Sequence, residues 1–150
     1  MISSEKILEC LPQKEPFRFI DTVDNIDIDN SEIQCTYTFK SVNPIFDGHF
    51  PDNPIVPGVL LIESIAQSGI LLMSILYENS IEEKSDYLLS KVEDVKFKEM
   101  LFPEQKFLIK TRLMRSLSSF HFFTAKVYNV QRKEILEGKI IVCKKDGHDR

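Results

Sequence analysis

The chain is poor in cysteine and lacks the features that mark secreted or metal-stabilised proteins. Its three cysteines, Cys10, Cys35 and Cys143, are odd in number and show no metal-ligand spacing. This pattern excludes a disulfide framework and argues against a zinc site. The N-terminus has neither the basic start nor the apolar core of a signal peptide. We therefore expect a cytoplasmic protein with free thiols and no bound metal.

The chain also lacks internal repeats, low-complexity runs and long linkers rich in Pro, Gly or Ser, so a second domain is not expected. Its 150 residues are enough to bury a core without covalent staples. Hydrophobic residues make up 43% and charged residues 28%, which is typical of a globular protein. We predict one domain over residues 1–150.

The net charge of −4 is unevenly distributed along the sequence. Residues 1–90 contain 5 Lys/Arg and 15 Asp/Glu, whereas residues 91–133 contain 10 Lys/Arg and 4 Asp/Glu. The basic segment is consistent with an acidic partner. It is equally consistent with lysines that solvate strand faces and edges. Composition alone leaves both interpretations open.

The hydrophobic pattern predicts one long helix followed by several strands. Residues 32–42 alternate, with Ile33, Cys35, Tyr37 and Phe39 on one face, as in a half-buried strand. Four later segments are rich in Phe, Ile, Val and Thr and also alternate. We predict an α+β fold in which the helix lies on a curved antiparallel sheet. The other predicted elements are a short helix over Ser3–Cys10, an extended segment over Phe17–Ile28, a helix over Gly58–Tyr77, and strands near 86–98, 105–117, 119–130 and 134–144.

The long helix is apolar on nearly all sides, which indicates either a buried helix or a membrane span. A carboxylate in mid-membrane costs about 2.5–3.5 kcal/mol even on lenient insertion scales, and Glu63 lies within this segment. We therefore predict a core helix with no membrane contact. Glu63 and Gln67 are one turn apart and form a polar stripe on its first two turns.

His49 and Glu63 are candidates for an acid–base pair. His49 lies in a loop, residues 43–57, that four prolines stiffen. A histidine titrates near neutral pH and can carry a proton. A carboxyl group in an apolar site has a raised pKa and can donate a proton at neutral pH. Taken separately, each residue also has a structural interpretation, as a loop histidine or an ion-paired glutamate.

The start of the helix is a third candidate feature. Val56, Pro57 and Gly58 provide no side-chain oxygen that could cap the first turn. The amides of Gly58 and Val59 are therefore candidates for binding a carbonyl or an anion, such as a thioester oxygen. The alternatives are that Gly58 caps the helix adequately or that water occupies the position.

The segment from Gly48 to Gln67 closely resembles the signature of the bacterial (3R)-hydroxyacyl-[acyl-carrier-protein] dehydratases. That family signature is G-H-F-P-x-x-P-x-x-P-G-V-L-x-x-E-x-x-A-Q, and all of its fixed positions are present. The segment here reads Gly-His-Phe-Pro-Asp-Asn-Pro-Ile-Val-Pro-Gly-Val-Leu-Leu-Ile-Glu-Ser-Ile-Ala-Gln. Leu11-Pro12, Pro16-Phe17 and Asp21 are similar to the opening segment of the family.

The resemblance implies a hotdog fold, in which a curved antiparallel sheet wraps around one long central helix. It also implies homodimers, in some members assembled as three dimers, with His49 and Glu63 contributed by different subunits. The implied reaction converts a (3R)-3-hydroxyacyl thioester of acyl carrier protein to the trans-2-enoyl product, in fatty acid or related lipid or polyene biosynthesis. His49 would be the base and Glu63 the acid, Gly58 and Val59 would bind the thioester oxygen, and Gln67 would orient Glu63.

By the same resemblance, the protein needs no metal and no cofactor other than the phosphopantetheine that carries the substrate. Because the carrier is acidic, the basic segment becomes a candidate docking surface. No nucleic-acid or membrane partner is implied. The candidate carrier-binding residues are Lys91, Lys96, Lys98, Arg112 and Arg115.

The chain departs from the family at two places. Gln13-Lys14 replaces the usual His-Arg, and Pro103-Glu104-Gln105 replaces the usual P-G-D. These changes leave substrate choice, carrier contacts and the pathway open. A hotdog acyl thioesterase and a non-catalytic carrier-binding subunit are the alternative functions. His121 is predicted to be a strand residue, and His148 to lie in a charged tail without a specific role.

Overall fold

The computed structural model describes residues 4–77 and 86–145, which form three helices and six strands. Ser3, at the predicted start of the first helix, and His148 lie outside the described residues. The helices are α1 (Ser4–Leu8), α2 (Ile45–Gly48) and α3 (Gly58–Tyr77), and the strands are β1 (Thr22–Asp27), β2 (Glu32–Thr38), β3 (Asp86–Phe97), β4 (Lys106–Leu117), β5 (Phe120–Asn129) and β6 (Glu134–Lys145).

The six strands form one antiparallel sheet in the order β1-β2-β4-β5-β6-β3. The alternation predicted for β2 is confirmed at Ile33 and Cys35, which are fully buried, but Thr36 of the opposite face is also buried and Tyr37 is half-buried. The strand ends at Thr38, earlier than predicted. Phe39 O instead accepts a hydrogen bond from Glu104 N, and Asn43 N donates to Lys40 O in a turn.

Helix α3 has the predicted bounds and packs against β2, β3, β4, β5 and β6. It is long and apolar enough to cross a membrane, but 67% of its most apolar window is buried. Gly69 allows a close approach to the sheet, since an added Cβ would lie 3.2 Å from the Phe123 ring. The predicted α+β hotdog architecture with a buried central helix is therefore confirmed.

The proline-rich loop contains α2, a single turn that begins after Pro44. Four residues of helix are compatible with the prolines, because the first turn of a helix needs no partner for its amides. Helix α1 is shorter than predicted. Ser4 Oγ donates to Val23 O (3.1 Å) and attaches α1 to β1.

Candidate active site

The His49 ring is held by the backbone of its own loop. His49 N donates to Ile45 O (3.1 Å), and His49 O accepts from Ile55 N (3.1 Å). The ring atom Nδ1 lies 2.8 Å from Ile55 O. Because a carbonyl oxygen only accepts, Nδ1 must carry the proton, and a neutral imidazole then has its lone pair on Nε2. The loop therefore selects the tautomer in which Nε2 can act as a base.

The neighbouring residue Phe50 stacks on the His49 ring. Its ring lies 4.4 Å from the His49 ring, centroid to centroid, with 26° between the planes. The imidazole is half-buried, and Phe50 is exposed. Stacking and one hydrogen bond to the backbone restrict the orientation of the imidazole.

Glu63 lies in the second turn of α3 and is half-buried. Burial raises the pKa of its carboxyl group above the ordinary 4.5, and the hydrogen bond from Gln67 partly opposes that rise. Loss of hydration disfavours the charged form, so the group keeps its proton to higher pH than an exposed glutamate. This is the property that a general acid requires.

Gln67 connects Glu63 to the chain before β1. Gln67 is fully buried, and its Oε1 accepts from Phe19 N (2.8 Å). Its Nε2 donates to Phe17 O (2.9 Å) and to Glu63 Oε1 (3.2 Å). Two backbone partners thus fix which end of the amide faces the carboxyl group.

The first amides of α3 are open, as the sequence predicted for an uncapped start. Leu60 N donates to Pro57 O (3.0 Å). Within residues 4–77 and 86–145, the amides of Gly58 and Val59 have no hydrogen-bond acceptor. Val56 N donates to Leu101 O (2.8 Å) and so ties the helix start to the segment after β3. The two amides are available to a ligand oxygen.

The structure places Glu63, Gln67, Gly58 and Val59 on the first three turns of one helix. In a single chain, the His49 ring and the Glu63 carboxyl group share no hydrogen bond. Their meeting across a subunit boundary stays a prediction.

The five candidate carrier-binding residues do not form one cluster. Lys91, Lys96 and Lys98 lie on β3 or directly after it, whereas Arg112 and Arg115 lie on β4, with β6 and β5 between. The three lysines have acidic partners: Lys91 Nζ is 2.6 Å from Glu93, Lys96 Nζ 4.0 Å from Glu137, and Lys98 Nζ 2.9 Å from Glu134. The Arg115 guanidinium lies over the Phe122 ring at 4.4 Å.

His121 lies on β5, as predicted, and its Nδ1 is 2.8 Å from Ser116 Oγ. Burial, reinforced by the charge of Lys144, lowers its pKa. The backbone roles of Ile55, Phe17 and Phe19 could not be predicted from the sequence, because each contributes a backbone atom that any side chain would leave in place. Phe97, which packs on Gly58, was also missed.

A model of the ApeI-like family, described as ApeI dehydratase, matches residues 25–139. A 3-hydroxyacyl-[acyl-carrier-protein] dehydratase FabZ of Histophilus somni is 31% identical over 147 residues, covering 97% of this chain and 93% of its own. A FabZ of Albidiferax ferrireducens is 33% identical over 121 residues, covering 81% and 80% of the two chains.

Solved structures share the fold at lower sequence identity. The dehydratase heterocomplex ApeI:P from Xenorhabdus doucetiae superposes with a TM-score of 0.79 at 17% identity, covering 94% of this chain and 91% of that chain. A hypothetical thioesterase from Streptococcus pneumoniae, solved with coenzyme A, gives a TM-score of 0.60 at 9% identity, covering 82% and 84%. The chain belongs to the ApeI-like dehydratase family and is a hydro-lyase of the hotdog fold.

Proposed function

We propose that the protein converts (3R)-3-hydroxyacyl-[acyl-carrier-protein] to the trans-2-enoyl product. The observation that carries this proposal is the hydrogen bond from His49 Nδ1 to Ile55 O, which leaves Nε2 as a base. The same chain contains Glu63, whose pKa burial raises above the ordinary value. FabZ relatives, whose names give this reaction, support the choice of substrate. The reaction is neither redox nor group transfer, so an acid, a base and amide donors are sufficient without a cofactor.

In the proposed mechanism, His49 Nε2 removes a proton from C2, beside the thioester carbonyl. The electron pair moves towards the carbonyl oxygen, where the Gly58 and Val59 amides stabilise the charge, typically by roughly 3–4 kcal/mol per donor. The electron pair then returns to form the C2=C3 double bond as the C3–O bond breaks, and Glu63 gives its proton to the leaving hydroxyl group, which departs as water. Gln67 holds the Glu63 carboxyl group in position through both steps.

The proposed active unit is a homodimer formed along the free edge of β3. This strand has twelve residues and pairs only with β6 in the described chain. Leu89 and Val92 are each 41% exposed on it. A long edge strand with exposed apolar side chains is a site for pairing with another strand. Three such dimers in one assembly would give the arrangement that the family resemblance implies for some members.

We propose the carrier protein as the partner that delivers the substrate, in the cytoplasm, for fatty acid or related lipid or polyene biosynthesis. Of the five candidate residues, we expect Arg112 and Arg115 to contribute most to docking. The carboxylate partners of the three lysines would have to be released before those lysines could bind an acidic protein. Assays across carrier-bound substrates of graded length and unsaturation would identify the acyl chain.

Two inactive variants test the mechanism and the subunit arrangement together. We expect His49→Ala and Glu63→Gln each to lower dehydration by at least about 10²-fold, because each removes one proton-transfer group. Mixed with subunit exchange, the two variants should regain about a quarter of wild-type activity, since half of the dimers would be mixed and each would hold one complete site of two. His121→Asn is the matched control and should keep normal turnover.

Formation of the enoyl product and release of free thiol should be measured in the same assay. Near-normal turnover by either variant would contradict the acid–base assignment. Thiol release without enoyl product in the wild type would contradict dehydration and favour a thioesterase. Absence of recovery despite demonstrated exchange would contradict a shared site.

A further inference from the structure

Phe97, the last residue of β3, packs directly on the start of α3. A Cβ added to Gly58 would lie 2.5 Å from Cε1 and 2.8 Å from Cζ of the Phe97 ring. Such distances are shorter than a side chain and a ring can approach, so the ring occupies the space of a side chain at position 58. Gly58 has no positive φ angle. The ring, rather than the backbone conformation, therefore requires glycine here.

The backbone around Phe97 fixes the base of this ring. Phe97 pairs in register with Leu136 of β6, and Lys98 N donates to Ile135 O (2.8 Å). The hydrogen bond from Val56 N to Leu101 O joins the same segment to the chain before the helix. The end of β3 is thus attached both to the sheet and to the helix start.

The ring leaves apolar surface open beside polar donors. Phe97 is 54% exposed and Val59 is 70% exposed. Together they flank the amides of Gly58 and Val59, which are open in the described chain. A ligand that fits this combination has a carbonyl oxygen for the amides and apolar atoms next to it for the ring. A thioester, with its sulfur and methylene groups, has this chemistry.

We propose that Phe97 is a specificity-determining residue whose ring covers the thioester end of the substrate and keeps water from the carbonyl carbon. This inference rests on the proposed function. Attack by water would break the C–S bond, form the carboxylic acid and leave a proton on the released thiol. Dehydration leaves the C–S bond intact. By excluding water at this position, the ring favours elimination over hydrolysis of the same bound substrate.

The test compares two products of one substrate in the assembled protein. With a 3-hydroxyacyl thioester of pantetheine, enoyl formation and free thiol are measured for the wild type, Phe97→Ala and Phe97→Leu. We expect Phe97→Ala to raise the ratio of thiol to enoyl product about tenfold, which corresponds to about 1.4 kcal/mol. Phe97→Leu should restore most of the wild-type ratio. Phe120→Ala, which removes a similarly exposed ring from β5, is the matched control.

A second variant separates the ring from a general loss of packing. Gly58→Ala should displace the Phe97 ring and raise the same ratio, but should add little to it in the Phe97→Ala background. An unchanged ratio in Phe97→Ala, or a proportional loss of both products with loss of the dimer, would overturn the inference. If the wild type forms no enoyl product at all, the proposed function fails as well. If the wild type forms enoyl product but Phe97→Ala leaves the ratio of thiol to enoyl product unchanged, the proposed function stands and the proposed role of Phe97 is wrong.

Discussion

The two edges of the sheet have opposite characters. At one edge, β1 has only six residues, carries Asp24 and Asp27, and contains an irregularity between Val23 and Asn25. Helix α1 also contacts it through Ser4. At the other edge, β3 has twelve residues. Its exposed apolar side chains are Leu88, Leu89, Val92 and Phe97.

Short length, acidic side chains and a bulge are the means by which natural sheets protect an edge from further pairing. The β1 edge uses all three. The β3 edge also carries Glu93 and Asp94 and has two register shifts, but it is twice as long and exposes four apolar side chains. The β1 edge is therefore suited to end the sheet, and the β3 edge is suited to a partner strand. Phe97, the last residue of this same β3 strand, packs on Gly58, so the open amides of α3 lie near the end of β3. Assembly and chemistry are therefore expected to depend on the same side of the molecule.

The largest change in activity is expected from a charge on the β3 edge, and the same charge beside the β1 edge serves as the comparison. Val92→Lys on β3 should dissociate the proposed dimer and lower dehydration by at least about 10²-fold, because a site shared by two subunits would lose one of its proton-transfer groups. Ile28→Lys, at a 65% exposed position directly after β1, is the matched change. It should leave both the mass of the assembly and the activity unchanged. Analytical ultracentrifugation and the enoyl assay measure the two effects.

Equal dissociation by both variants would remove the distinction between the edges. A Val92→Lys monomer that retains normal turnover would show that the site is complete in one chain.

A medium effect on stability alone is expected on the covered side of α3. Ser68 and Thr111 are fully buried, and their hydroxyl oxygens lie 2.6 Å apart. Since Ser68 Oγ donates to Ile65 O (2.6 Å), Thr111 Oγ1 must donate to Ser68. Ser68→Ala leaves the Thr111 hydroxyl without an acceptor and should lower the free energy of unfolding by about 2 kcal/mol, against about 1 kcal/mol for Thr111→Val. Denaturant unfolding measures this.

Both variants should keep turnover within about twofold of the wild type, since neither group is near a proton-transfer step. A loss of turnover well beyond about twofold in a variant that is still folded would show that the covered side of α3 also contributes to catalysis.

The smallest expected effect is a pH-dependent gain in stability from Glu63→Gln. Burial raises the pKa of Glu63 in the folded protein above the ordinary 4.5, so folding disfavours its charged form. The variant should therefore melt at a slightly higher temperature than the wild type above the raised pKa. The gain should fade as the pH falls towards 4.5 and vanish below it, where the wild-type group is neutral in both states. A gain that grows on acidification would contradict a raised pKa.

Several features of the fold could be predicted from the sequence because they depend on local patterns. The alternation in β2 and the apolar run of α3 determine which side chains need burial, and both elements have the predicted inward residues. The predicted strands near 86–98 and 105–117 also match β3 and β4 to within a residue or two. Element ends were less predictable, as at Thr38, where a hydrogen bond to a distant loop replaced strand pairing.

Residue order alone specifies which chemical groups are present: the imidazole of His49, the carboxyl group of Glu63 four residues before Gln67, and a helix start without a side-chain cap. How those groups are held depends on contacts that form only when the chain folds. The tautomer of His49 depends on the carbonyl of Ile55, the orientation of Gln67 on the backbone of Phe17 and Phe19, and the packing at Gly58 on the ring of Phe97. Hydrogen bonds to backbone atoms and contacts between distant segments are set by three-dimensional position, which residue type does not encode.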